Sequence, residues 1–362
     1  MILWLKQKIQ KKIYRTITDR PISNPLIKKF DFINKSPTYF VKNFGNKNKD
    51  KIFYVIKLYE TNKEGGGLFS MVLFVLNHLK IVEKNNYIPV VDFENFYNRY
   101  NEEKPVNKIK NSWLYYFEQL SKYKLSEVYN SKNVIMTHGY FSKDMAVEFV
   151  ADKEFRRIFL KYIKIRKKYL DNANKFYKFN LKNNKVLGIH FKATVNQTCV
   201  NHPFPPTLTQ MYHLVDIALK KYKFNKIFLV TDSLYYLEKF KKKYKSILCY
   251  RKESFRSNQS KIFHLKVRKN HRYEIGRDNI EEMLMLSKIN YLICSKSNLS
   301  QTAVMLSGKK YNVMEIENGK NSKRLIFAIV KFKFLSLLPE FLGGFKKKIP
   351  IKFKKISYKK NL

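Results

Sequence analysis

Four short segments place basic or polar residues where the chain leaves an apolar run, and each could hold an anion. Gly65-Gly66-Gly67-Leu68-Phe69-Ser70 is a glycine turn ahead of a helical pattern. Glycines let backbone amides approach a ligand closely, and the helix N-terminus behind them favours negative charge. A diphosphate or a developing leaving group suits that turn, and a plain tight turn reads the same. It lacks the Gly-Lys-Ser/Thr ending of a P-loop and the full dinucleotide fingerprint. In Val186-Leu187-Gly188-Ile189-His190-Phe191-Lys192, a buried strand ends in His190 and Lys192, which alternation puts on one side. Together they could hold a diphosphate, or stand as solvated side chains at a strand end. Ile227-Phe228-Leu229-Val230-Thr231-Asp232 ends in a carboxylate that can accept hydrogen bonds from a base or ribose. Thr231 or Asp232 could instead cap the next helix. Last, His271-Arg272-Tyr273 precedes a helical pattern, and the strand ending at Cys294 runs into Ser295-Lys296-Ser297-Asn298. Hydroxyls, amides and a helix dipole suit phosphate there, and a Ser or Asn N-cap is the alternative.

These segments need parallel strands to carry them. Apolar runs predict strands at 52–56, 87–92 and 134–136, then at 186–192, 226–231, 247–250, 291–294 and 311–316. Helical periodicity predicts helices at 68–84, 113–120, 153–179, 207–222, 233–244, 277–288 and 298–307. Alternation of this kind implies doubly wound parallel sheets, with ligands at the carboxyl ends of the strands. The expected division is a basic irregular segment at 1–50 and an α/β domain at 51–182. A nucleotide-sugar-binding Rossmann-like domain at 183–324 and a basic apolar tail at 325–362 follow.

Composition narrows the class. At 362 residues with 44% hydrophobic content, the chain can bury two ordinary cores. Lys and Arg number 73 against 28 acids, a net charge of +45. Lys, Asn, Ile, Tyr and Phe, whose codons are rich in A and T, crowd the chain, while Arg is scarce. The excess of Lys therefore reads as base composition more than as nucleic-acid recognition, which favours the forked guanidinium. Anionic lipids, phosphates and acidic glycans are attracted whatever its origin. Cys199, Cys249 and Cys294 form no CxxC pair and no zinc-ligand spacing, which fits a reducing cytoplasmic location. Neither a signal-peptide core nor a spanning run is legible.

Taken in order, the four segments resemble one superfamily: the α-1,6-fucosyltransferases, the rhizobial nodulation fucosyltransferases and the protein O-fucosyltransferases. The resemblance spans residues 52–320 and is most specific from Leu286-Ser287 to Gln301. It implies a GT-B-like arrangement, two facing Rossmann-type domains with a central cleft. It also implies GDP-fucose as donor, inversion at the anomeric carbon, and neither metal nor cofactor. By the resemblance, His190 and Lys192 fall on the family's His-X-Arg positions, which hold the donor diphosphate. Asp232 falls on an acidic position contacting the guanosine, Ser297 and Asn298 on a polar turn at the phosphates, and Gly65, Gly66 and Gly67 on the glycine turn of the facing domain. Arg272 and Ser295, beside these positions, join them as donor-binding candidates. The chain departs from the pattern at Lys192, which keeps the charge of Arg without its two-pronged grip. Thr194-Val195 stands where the family has Thr-Asp, and no acid lies between His190 and Asp216. His202, in Asn201-His202-Pro203, could serve as general base, or be a loop histidine without a role.

The expected enzyme is thus a bacterial glycosyltransferase acting on a glycan or lipid-linked saccharide in cell-surface polysaccharide synthesis. Residues 1–15 and 325–345 mix apolar and basic side chains, so peripheral attachment to an anionic membrane, on the inner face of the cytoplasmic membrane, is expected. A packed C-terminal helix with a solvated tail is the alternative. Three rival functions stay open: a same-fold transferase with another nucleotide sugar, an inactive relative, and a polyanion or nucleic-acid binder. For the last, no nucleic-acid motif is present.

Overall fold

The computed structural model describes residues 39–58, 66–137, 145, 153–192, 197–198, 200–259, 262–308, 310–345 and 353–356. The chain forms two compact units, Met1–Val147 with Arg157–Arg166, and Glu148–Arg156 with Lys167–Leu362. Both are α/β.

The first unit is built on a four-stranded sheet of β1 (Tyr39–Lys42), β2 (Lys47–Lys57), β3 (Ile88–Asp92) and β4 (Ser131–Thr137), in the order β1-β4-β2-β3. β4, β2 and β3 are parallel, and β1 closes the edge antiparallel. Phe53 to Ile56 are fully buried, as a central parallel strand covered on both faces requires. Helix α1 (Leu68–Asn85) links β2 to β3. Periodicity predicted one apolar face for it; in the structure Leu73, Phe74 and His78 are buried as well, so the helix is enclosed over most of its circumference. The predicted helix at 113–120 is a single turn, α2 (Trp113–Tyr116). It stops because Phe117 turns extended and bridges to Ile165. A further turn, α3 (Leu125–Val128), precedes β4.

That bridge also divides the helix predicted at 153–179. It is two helices, α4 (Lys153–Tyr162) and α5 (Lys167–Asn180). Between them the Arg166 amide donates to the Tyr116 carbonyl (3.0 Å) instead of to its own helix.

The second unit carries six strands: β5 (Val186–His190), β6 (Lys226–Val230), β7 (Leu248–Cys249), β8 (Tyr291–Ser295), β9 (Tyr311–Ile316) and β10 (Lys354–Ile356). Their order is β10-β9-β8-β5-β6-β7, parallel except for β10. From β5 the chain builds outward through α6 (Leu208–Tyr222), β6 and α7 (Leu234–Tyr244) to β7. It then returns through α8 (His271–Ser287) to β8 on the other side of β5, and continues through α9 (Asn298–Ser307) to β9. The order therefore reverses between β5 and β8. α10 (Leu325–Leu337) follows β9. Leu187, Ile189, Leu214, Val215, Ile227 and Phe240 centre the core. Gly188 lets α8 close onto β5: a Cβ there would meet the Tyr291 carbonyl at 3.1 Å and Leu286 at 3.2 Å.

Two boundaries differ from expectation at the site. The strand predicted at 186–192 ends at His190, so Lys192 lies beyond the sheet and strand alternation does not orient it. The helix predicted from 277 begins at His271, because Gly276 is accommodated inside it rather than ahead of it.

Candidate functional site

In the second unit the polar residues of three segments gather along the carboxyl edge of β6, β5 and β8. His190 closes β5, and its register neighbours are Val230 on β6 and Cys294 on β8. Just past those neighbours stand Asp232 on one side and Ser295 to Asn298 on the other. This is the point where strand order reverses, and loops from adjacent strands part there to leave room for a ligand.

Hydrogen bonds join part of this edge. His190 Nδ1 lies 2.6 Å from Ser300 Oγ and 3.2 Å from Ser297 Oγ, and the two hydroxyls are 3.0 Å apart. Ser297 also caps α9, accepting from the Ser300 amide at 3.2 Å. The cap expected at Ser or Asn is thus present, and the same hydroxyl reaches the imidazole. Ser300 is fully buried and His190 is 4% exposed. Burial, with the Lys192 ammonium adding to it, pushes the His190 imidazole down to about 3, so the ring is neutral near pH 7. A neutral ring held at Nδ1 keeps Nε2 for one further hydrogen bond, and among the described residues none is made there. Lys192, two residues on, is half-buried just outside the sheet.

The other candidates take different places. The α7 cap is neither Thr231 nor Asp232 but Ser233, which accepts from the Tyr236 amide (3.3 Å), while Thr231 Oγ1 accepts from the Ser233 amide (3.3 Å). Capping therefore does not account for Asp232, whose carbonyl accepts from Ser257. Arg272 sits in the first turn of α8, one helix before β8. Asn298 opens α9, with its carbonyl accepting from Thr302 Oγ1 (2.6 Å). Exposed His202 lies on a loop fastened to residues 319–322: its carbonyl accepts from the Asn321 amide (2.8 Å), and the Phe204 amide donates to Gly319 (2.9 Å).

The glycine turn belongs to the first unit. Gly65 lies outside the described residues. Gly66 and Gly67 lead into α1, which has no side-chain cap. Nothing lies within 4 Å of a Cβ built on Gly67, and its φ of −61° suits any residue, so neither sterics nor strain requires glycine there.

Two features escaped the sequence reading. Lys57 closes β2 ahead of the glycine turn and is buried, its Nζ 3.9 Å from the Phe96 ring centroid. A lysine ending the run Phe53-Tyr54-Val55-Ile56 was the available signal. The second is an ionic cluster on α8. Arg251 is paired with Glu281 and stands 3.6 Å from Asp278; Arg268 (2.8 Å) and Arg277 (3.0 Å) also reach Asp278. The crowding of Arg251, Arg256, Arg268, Arg272 and Arg277 in an Arg-poor chain was legible, but not the partners.

Fold and edge together define a doubly wound α/β protein with its polar residues at the switch point of a parallel sheet. A family model described as nodulation protein Z (NodZ) matches residues 121–332, more than half of the chain. The chain belongs to the NodZ family, and the resemblance read from the four segments is borne out. Among solved structures, it is similar to NodZ α-1,6-fucosyltransferase co-crystallized with GDP, at 13% identity and a TM-score of 0.49, over 74% of this chain and 96% of that one. Fucosyltransferase NodZ from Bradyrhizobium gives 14% and 0.46 over 74% and 96%. A mutant of Arabidopsis thaliana FUT1 in complex with GDP gives 11% and 0.43 over 75% and 72%. No curated protein matches the chain.

Proposed function

We propose that this protein is a glycosyltransferase that takes fucose from GDP-fucose and transfers it, with inversion and without a metal, to a glycan or lipid-linked saccharide. Membership of the NodZ family supports the class. The observation that carries the reading for this chain is the neutral His190–Ser297–Ser300 cluster at the switch point, with Lys192 beside it.

Glycosyl transfer breaks the bond between the anomeric carbon and a diphosphate, which departs with growing negative charge. Groups already aimed at that charge stabilise the transition state without reorganising. Lys192 supplies the positive charge. His190, fixed at Nδ1, presents Nε2 as a neutral donor, and the α9 N-terminus adds its amides beside Ser297. Asp232 accepts from the guanosine, and Ser295, Asn298 and Arg272 line the donor side. His202, exposed on its loop, takes the proton of the attacking hydroxyl.

Thermal unfolding against a panel of nucleotides tests the donor. A ligand that binds only the folded state adds about 2.7 kcal/mol of stability at a hundredfold excess over its Kd. GDP and GDP-fucose should raise the midpoint, and UDP and CMP compounds should not. Lys192 in place of Arg, with Val195 in place of Asp, favours one second reading, a same-fold transferase using another nucleotide sugar. A shift with a different nucleotide alone would select it. No shift with any nucleotide would remove both.

A further inference from the structure

Helix α10 is apolar on two opposite faces, and among the described residues only one of them is covered. Ala328 and Phe332 face inward, Phe332 meeting Phe204 and Phe345 with ring centroids 6.0 and 5.7 Å away. On the other side Ile326, Val330, Phe334 and Leu337 recur at helical spacing as one stripe. They are 78%, 57%, 62% and 77% exposed. The turn that follows adds Phe341 at 85% and Leu342 at 57%. A surface helix of a soluble domain normally turns such residues inward, and a continuous exposed stripe marks a surface that something covers.

We infer that α10 lies in the surface of an anionic membrane, its outer stripe among the lipid chains and its lysines at the headgroups. Three observations choose lipid as the occupant. At 100° per residue, Lys331 and Lys333 flank the stripe on its two sides, where long stems can lift the ammonium groups to phosphates. Between residues 320 and 348 the only acid is Glu340, against eight basic residues. A second copy docked on this face would set lysine against lysine. Residues 1–15 carry Lys6, Lys8, Lys11, Lys12 and Arg15 with no acid, so that segment is a poor cover too. Anionic headgroups satisfy stripe and lysines at once. The helix has 13 residues and is about 20 Å long, short of the ~30 Å hydrocarbon core, so it lies in the plane rather than across it.

The helix is also tied to the loop after Lys192. Asn321 Nδ2 donates to the Ala328 carbonyl (2.9 Å) in α10 and to the Gln197 carbonyl (3.1 Å), while the Asn321 amide donates to His202. A membrane under α10 therefore lies beside the His202 loop. Resting on the transferase reading, this favours an acceptor carried on lipid.

The test is flotation of the full-length chain at physiological salt, with vesicles of phosphatidylcholine alone or mixed with phosphatidylglycerol. It needs no turnover, so it stands apart from the donor assignment. The protein should float with the anionic vesicles and remain below with the neutral ones. The variant Ile326→Gln/Val330→Gln/Phe334→Gln/Leu337→Gln changes only solvent-facing side chains and should keep its melting temperature while binding anionic vesicles at least about tenfold more weakly. Phe334→Gln alone repeats the comparison with a smaller perturbation and should weaken binding in the same direction. Failure of the unmodified protein to float with anionic vesicles would overturn the inference. So would variants that float like the unmodified protein, or a lipid-free dimer that the fourfold variant dissociates.

Discussion

Two buried polar clusters of the second unit solve the same problem in opposite ways. On α8, Glu274, Asp278 and Glu281 are met by Arg251, Arg268 and Arg277, charge satisfying charge. At the strand edge, His190, Ser297 and Ser300 satisfy one another with no formal charge. The first fastens the segment after β7 to α8, joining residues far apart in sequence, and leaves no field to spare. The second holds the His190 ring in place and, among the described residues, leaves Lys192 without an ion pair to an acid. An anionic ligand gains from that difference: a carboxylate beside Lys192 would have to be displaced before a diphosphate could profit from the cation.

The comparison breaks most visibly if one ionic partner is removed. Arg251→Ala leaves Glu281 buried without its ion-pair partner, while Asp278 keeps Arg268 and Arg277, and should cost about 3–5 kcal/mol in urea unfolding. A loss below about 1 kcal/mol would mean the cluster is solvated and the contrast false. Next, Lys192→Ala should cost on the order of 2–4 kcal/mol in kcat/KM for the donor while leaving the unfolding midpoint in place. Unchanged turnover would remove Lys192 from the leaving-group role.

Acid sharpens the contrast, because His190 and Glu282, the residue after Glu281 on α8, respond with opposite sign. His190 has its ordinary value of 6.5 when unfolded and about 3 when folded, so between those values the unfolded chain binds the extra proton. Its contribution is fully present above pH 6.5 and is lost as pH falls toward 3, at up to about 1.4 kcal/mol per pH unit. Glu282 runs the other way. Its Oε1 stands 3.7 Å from Arg256 Nη2, too far for a hydrogen bond, and burial outweighs that guanidinium and pushes the carboxyl up to about 7. The folded chain then holds the extra proton between 4.5 and 7, and stability falls as pH rises through that window. His190→Asn should flatten the acid side of the stability–pH profile and Glu282→Gln the neutral side. Identical changes in both variants would show that neither group titrates as its surroundings dictate.

What could be read before folding follows the range of each interaction. The alternation of strands and helices, and the polar residues at the carboxyl ends of β5, β6 and β8, are local patterns and were legible. Helix breaks made by distant partners were not: nothing near Ile163 to Arg166 announces that Tyr116 and Glu118 take up that segment's backbone groups. Gly276 signals a helix end in any local reading, and only the packed helix overrules it. Asp232 shows the limit within four residues. Thr231, Asp232 and Ser233 can each cap α7, and the backbone geometry alone selects Ser233. The Arg251–Glu281 pair joins residues 30 positions apart across a loop, and the crowding of arginines hinted at it without naming the partner. For α10 the apolar run was plain, but which face would be left outside depended on where Phe204 and Phe345 fall.

The smallest effect discriminates most finely within the neutral cluster. Ser297→Ala removes the α9 cap and one of the two hydroxyls at His190 Nδ1. A cap alone is worth about 1 kcal/mol. Because Ser300 remains at 2.6 Å, the imidazole keeps its closer partner, and the loss in urea unfolding should stay near that figure. Ser300→Ala is the companion: it takes the closer hydroxyl, from a fully buried site, and should cost more than Ser297→Ala. If the order is reversed, Ser297 rather than Ser300 holds the ring. The α9 N-terminus would then set the direction of Nε2, and any ligand bound there would feel the helix through the histidine.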